Sequence, residues 1–93
     1  APADYRTRLF LGRRLAETGQ GKAALKELRA ALAIFPTEAE ATLEAAHILA
    51  ASGDTAEAER LVNAALAHPV PDSLHLGSLF DLREALRNER MAR

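Results

Sequence analysis

The feature that most constrains this chain is an echo at an offset of 34 residues, which returns Gly19 as Gly53 and Ala24 as Ala58. The same offset carries Leu9, Leu15, Ala16, Ala30, Ala31, Leu32 and Ala33 onto Leu43, Leu49, Ala50, Ala64, Ala65, Leu66 and Ala67. These identities fall between Tyr5 and Pro36, a window in which composition alone would give about four. Thr18/Ser52, Lys26/Arg60 and Leu28/Val62 add conservative matches in the same frame. A repeat of this length is one helical hairpin, a unit that cannot bury its own apolar stripe and must stack on a neighbour.

Composition agrees with close-packed helices. Hydrophobic residues make up 48% of the 93 residues, yet only 4% are aromatic, with one Tyr, three Phe and no Trp. Strands favour β-branched and aromatic side chains, whereas Ala and Leu are strong helix formers. A chain this long buries a single modest core, so it is one domain or a piece of a longer protein. The absence of cysteine removes disulfides, thiolate zinc sites and cysteine nucleophiles, and leaves both cytoplasm and periplasm open. No apolar run approaches the ~20 residues of a transmembrane helix, and no signal-peptide core follows the N-terminus. The expectation is a soluble segment with no direct membrane insertion. The net charge of −1 hides a division along the chain. Residues 1–36 carry seven basic and three acidic side chains, residues 37–70 one and six, and residues 71–93 four of each.

Punctuation residues divide the chain into five helices. The first spans about 4–18, with Pro2 near its start and Gly19 as a left-handed stop. After the turn Gly19-Gln20-Gly21, the second spans about 22–34 and ends before Pro36, which disfavours helical geometry at Phe35. Thr37 and Glu40 form a capping box for the third helix, which reaches about 51. Ser52-Gly53 stops it, and Asp54 with Glu57 opens the fourth by the same logic. The stretch 68–71 ends that helix. Asp72 or Ser73 then caps a fifth, spanning about 74–90, whose apolar residues are Leu76, Leu79, Phe80, Leu82 and Leu86. Its fully polar last turn suits the solvated cap of an array. The expected units are therefore a first hairpin at 1–36, a second at 37–70 and a capping helix at 71–93.

These residues resemble the tetratricopeptide repeat, whose pattern is W-x2-L-G-x2-Y, then A-x3-F, a later small residue and a closing Pro. The first hairpin offers Arg8-x2-Leu11-Gly12-x2-Leu15, then Ala24-x3-Leu28, Ala31 and Pro36. The second offers Thr42-x2-Ala45-Ala46-x2-Leu49, Gly53, Ala58-x3-Val62 and Ala65, with Val70 between Pro69 and Pro71 where a lone Pro is usual. Both lack the large aromatics of the pattern, which leaves room for a related helical-hairpin repeat. The physics of the matched positions agrees with the resemblance. Gly12, Ala24, Ala31, Ala46, Ala58 and Ala65 are small where helices cross, and Leu11, Leu15, Leu28, Leu32, Leu49, Leu61 and Leu66 fill the gaps between them. The resemblance implies an all-α, right-handed stack of antiparallel helix pairs, in which the first helix of each hairpin lines the concave side.

The sequence offers no support for catalysis, a metal or a cofactor. His47, His68 and His75 lack metal-type spacing and read as ordinary surface or partly buried histidines. The two glycines around Gln20 sit between helices and serve a turn rather than a phosphate cradle. Ser73 and Ser78 show no positioned base. Arg6, Arg8, Arg13 and Arg14 make the start basic, but the pI of about 6.3 is far from the pI above ~9 of a basic nucleic-acid module.

The expected site is the inner face of the stack. On the first helix that face is Arg6, Leu9, Phe10, Arg13, Ala16 and Glu17; on the third it is Glu40, Leu43, Glu44, His47, Ala50 and Ala51. Asp81 and Glu84 extend it onto the last helix. The partner-binding candidates are Arg6, Leu9, Phe10, Arg13, Glu17, Leu43, Glu44, His47 and Asp81, facing a protein or peptide ligand. Leu9, Phe10 and Leu43 supply apolar contacts, and Arg6 and Arg13 supply carboxylate partners. A plainer reading stands beside it: Arg13 pairs with Glu44 across the groove, and Leu9 and Phe10 pack on a preceding repeat. Tetratricopeptide domains that bind chaperone tails clamp a terminal carboxylate with Lys and Asn, but Asn63 and Asn88 lie off this face, so the clamp does not carry over. The leading expectation is a non-enzymatic interaction module, part of a bacterial scaffold or assembly factor, with the bacterial reading resting on Ala, Leu and Arg richness alone. Head-to-tail self-assembly and an accessory domain of a larger enzyme are the alternatives.

Overall fold

In a computed structural model describing residues 4–36, 38–67 and 73–92, the chain forms five α-helices and, among those residues, no strand. They are α1 (Asp4–Glu17), α2 (Gly21–Ile34), α3 (Ala39–Ala51), α4 (Thr55–Ala67) and α5 (Ser73–Met91). The expected stop at 68–71 and the Asp72 or Ser73 cap fall on residues or side chains outside those described.

The repeat is visible first in how helices end. The Gln20 N–H donates to the Leu15 carbonyl at 2.9 Å, and that of Gly19 to Ala16 at 3.1 Å. Thirty-four residues on, Asp54 donates to Leu49 at 2.8 Å and Gly53 to Ala50 at 3.0 Å. This paired pattern needs a left-handed residue just past the helix, and Gly19 and Gly53 adopt φ of +79° and +93°. A Cβ on Gly53 meets open space, so its cost is purely conformational. Gly53→Ala should lower stability by about 1–2 kcal/mol in a thermal melt, and an unchanged midpoint would contradict the left-handed turn.

Helix starts agree in part. Asp54 Oδ1 accepts from the Glu57 N–H at 3.2 Å, while the Glu57 carboxylate turns to Arg60 on the next turn instead of completing the box. The box expected from Thr37 and Glu40 needs correction. Thr37 lies outside the described residues, and the cap of α3 is Glu38, whose carboxylate accepts from the Ala41 N–H. Glu40 is drawn across to the Arg13 guanidinium of α1, a charge-assisted bond stronger than one to a neutral amide.

Two apolar clusters hold the stack, and neither belongs to one hairpin. Leu9, Leu28 and Ala31 share the first with Ala41 and Ala45 of α3. Ala39, Ala46, Leu49, Ala58, Val62 and Ala65 share the second with Leu79 and Leu86 of α5. Each hairpin thus completes its core with the helix that follows it. The close crossing expected at Gly12 is present, because a Cβ there would lie 2.8 Å from the Leu28 side chain and 3.3 Å from the Ala24 carbonyl. Leu11 departs from expectation: it is 42% exposed, whereas its repeat equivalent Ala45 is fully buried. α2 covers that face of α3, and no described helix covers it on α1.

α1 touches α3 and α3 touches α5, while α2 and α4, among the described residues, pack only on their chain neighbours. An inner row in contact and an outer row held apart curve the array, with α1, α3 and α5 on the concave side. α5 starts 34 residues after α3 and contacts both α3 and α4. It therefore occupies the place of a third inner helix.

Candidate functional site: the inner face

The inner row carries two clefts, one between each pair of successive inner helices. The first, of about 380 Å³, is lined by Tyr5, Arg6, Leu9, Phe10 and Arg13 of α1, by Glu38 and Glu40 at the start of α3, and by His75 of α5. The second, of about 440 Å³, is lined by Leu43, Glu44 and His47 of α3 and by Ser78, Asp81, Leu82 and Ala85 of α5. A spacing of three and four residues along each helix presents these side chains as one stripe.

Aromatic and cationic groups dominate the first cleft. Tyr5 meets Phe35 edge-on, with ring centroids 5.3 Å apart and planes at 73°, a geometry that joins the start of α1 to the end of α2. Arg6 Nε donates to Tyr5 Oη at 3.1 Å, and its guanidinium lies 5.8 Å from the Tyr5 ring centroid. That hydrogen bond, with the coulombic interaction with Tyr5, raises the Arg6 pKa against a small opposing desolvation. Arg6, like any guanidinium, is a cation at physiological pH. Phe10 is 65% exposed at the cleft mouth.

Arg13 Nη1 donates to Glu40 Oε1 at 3.0 Å. The pairing of Arg13 with Glu44 is thereby corrected: Glu40 at the start of α3 takes the guanidinium, and Glu44 one turn later is left to the second cleft. Both partners are partly exposed, so the bridge contributes at most about 1 kcal/mol. Its larger effect is to orient α1 against α3. In the second cleft neither Glu44 nor Asp81 has an ion-pair partner among the described residues.

The structure gathers Arg6, Phe10 and Arg13 in the first cleft and Leu43, Glu44, His47 and Asp81 in the second. Leu9 also lines the first cleft, as a floor residue 7% exposed that packs in the core cluster with Leu28 and Ala31. Glu17 lines neither cleft, and Glu84 faces Arg87 at 3.9 Å. Tyr5, Glu38, His75, Ser78, Leu82 and Ala85 were not among the sequence candidates. Carrying the 34-residue frame once more would have found two of them, since Glu44 and Ala51 map onto Ser78 and Ala85.

A curved row of helical hairpins with a charge-patterned inner face defines a helical-repeat array. The chain belongs to the tetratricopeptide repeat family: the model of that description matches residues 15–77. Domains of this family generally bind protein partners and are generally non-enzymatic. No curated protein and no solved structure matches the chain. Among the described residues no helix is long and apolar enough to cross a membrane, and no group of three or more His, Asp or Glu side chains is gathered as for a metal.

Proposed function

We propose that the chain is a non-enzymatic interaction module that holds a peptide or protein segment along its inner face, in the service of a bacterial scaffold or assembly factor. The observation that carries this reading is the polarity of the face. One cleft offers the cation Arg6 and the exposed ring of Phe10; the next offers Glu44 and Asp81, which have no ion-pair partner among the described residues. A segment crossing both places a carboxylate at Arg6, an apolar side chain on Phe10, Leu43 or Leu82, and a cation between Glu44 and Asp81. Arg13, engaged by Glu40, frames the passage.

Selection of peptides from a random display library should return sequences with an acidic residue on one side of an apolar one and a basic residue on the other. Arg6→Ala with Phe10→Ala, and separately Glu44→Gln with Asp81→Asn, should each weaken a selected peptide at least about tenfold while leaving the far-UV circular dichroism unchanged. Undiminished affinity in both variants would move the site elsewhere.

A further inference from the structure

A recess of about 650 Å³, lined in part by Ala16 and Ala51, which the sequence assigned to the inner face, shares no lining residue with the two inner clefts. It opens where the α1–α2 and α3–α4 turns meet the outer helix α2. Leu25, Ile48 and Leu49 form its apolar floor, and Lys22 and Arg29 stand on its rim. These two cations lie two turns apart on one face of α2, and neither has an ion-pair partner among the described residues. The rim carboxylate, Asp54, is already engaged in capping the Glu57 N–H.

The second repeat shows what fills such a place. In the 34-residue frame Ser52, at the mouth of the recess, corresponds to Leu86, and Leu25 corresponds to Glu59. α3 stops at Ala51, whereas α5 runs past the matching position, 85, to Met91. On that extension Leu86 is 2% exposed in the cluster that includes Ala58 and Val62, and Arg90 Nε donates to Glu59 at 2.9 Å. An apolar side chain and a charged one a turn later thus cover the start of α4. In the first repeat Ser52 is small and exposed, and the start of α2 keeps an apolar floor with two cations.

We propose that this recess docks an amphipathic helical segment of a partner protein, bearing a leucine-like side chain flanked by acidic residues. It sits on α2 as the last turns of α5 sit on α4, with the sign of the charge reversed. The docking site shares no residue with the two inner clefts, so the chain joins two partners, or two parts of one.

The test uses the intact chain and two fluorescein-labelled, end-capped helical peptides, one with a leucine stripe flanked by Glu and one with Lys at every Glu. Fluorescence anisotropy should show saturable binding of the Glu peptide and none of the Lys peptide. Lys22→Glu with Arg29→Glu should weaken the Glu peptide at least about tenfold and transfer binding to the Lys peptide; the Gln pair at the same positions should show the loss without the transfer. Ser52→Leu, which supplies the counterpart of Leu86, should also weaken the Glu peptide, whereas Arg6→Ala with Phe10→Ala should leave it unchanged. Equal binding of both peptides, no effect of the Gln pair, or loss in the inner-face variant would overturn the proposal. Binding of phosphatidylglycerol vesicles through Lys22 and Arg29 in place of the peptide would overturn it as well.

Discussion

Leu28→Ala should lower the stability of the chain by about 2–5 kcal/mol, a large share of the ~5–15 kcal/mol that holds a typical domain folded. Leu28 is fully buried, clusters with Leu9, Ala31, Ala41 and Ala45, and would lie 2.8 Å from a Cβ on Gly12. It therefore joins α1, α2 and α3. The backbones are already close at Gly12, so the helices have little room to collapse into the vacated space, which places the cost toward the upper part of the range. Urea unfolding followed by circular dichroism gives the value directly. A loss below about 1 kcal/mol would mean that α2 does not bridge α1 and α3 through this side chain.

Ala58→Leu is the complementary change and should cost about 1–3 kcal/mol. Ala58 is fully buried in the cluster that also holds Ala46, Val62 and Leu86. Its equivalent in the first repeat, Ala24, lies at the Gly12 crossing. Three added heavy carbons must push α4 away from α3 or from α5, which makes this a test of both helix contacts at once. Ala64→Leu, on the exposed face of the same helix, controls for propensity and should stay within about 0.5 kcal/mol of the parent. Equal melting of the two variants would mean that the 34-residue echo does not mark a crossing.

Much of the architecture was legible because the residues that encode it answer to local geometry. Gly19 and Gly53 end helices where only a left-handed residue fits, and both ends show the same pair of backbone bonds. Ala24, Ala31, Ala58 and Ala65 are small because helices approach there, and all four are buried. What was not legible depends on neighbours far along the chain. Glu40 satisfies a local capping pattern, yet a guanidinium 27 residues away takes its carboxylate. Leu9 and Leu43 occupy the same repeat position at the border between core and inner face; Leu9 is buried and Leu43 only half-buried. Leu11 has the periodicity of a core residue, but burial requires a helix on that side, and the described residues supply none.

The last helix explains most of what the site reading missed. α5 shares little sequence with α3, and it is the capping helix that its apolar residues and polar end suggested. Its start, 34 residues after that of α3, places it in the inner row. Once there, Ser78, Asp81 and Ala85 follow as the third set of inner-face positions, and the face runs from Arg6 and Arg13 through Glu44 and His47 to Asp81. The same extension that completes the second repeat, through Leu86 and Arg90, leaves the first repeat with the open recess beside Lys22 and Arg29.

Binding by the inner row of α1, α3 and α5 is tested most directly by an amide NMR titration of the isotope-labelled chain with a display-selected peptide. The predicted result is chemical-shift change running from Arg6 and Phe10 through Glu44 and His47 to Asp81, with the exposed faces of α2 and α4 unchanged. Shifts confined to α2 and α4, with the inner row silent on saturation, would contradict it.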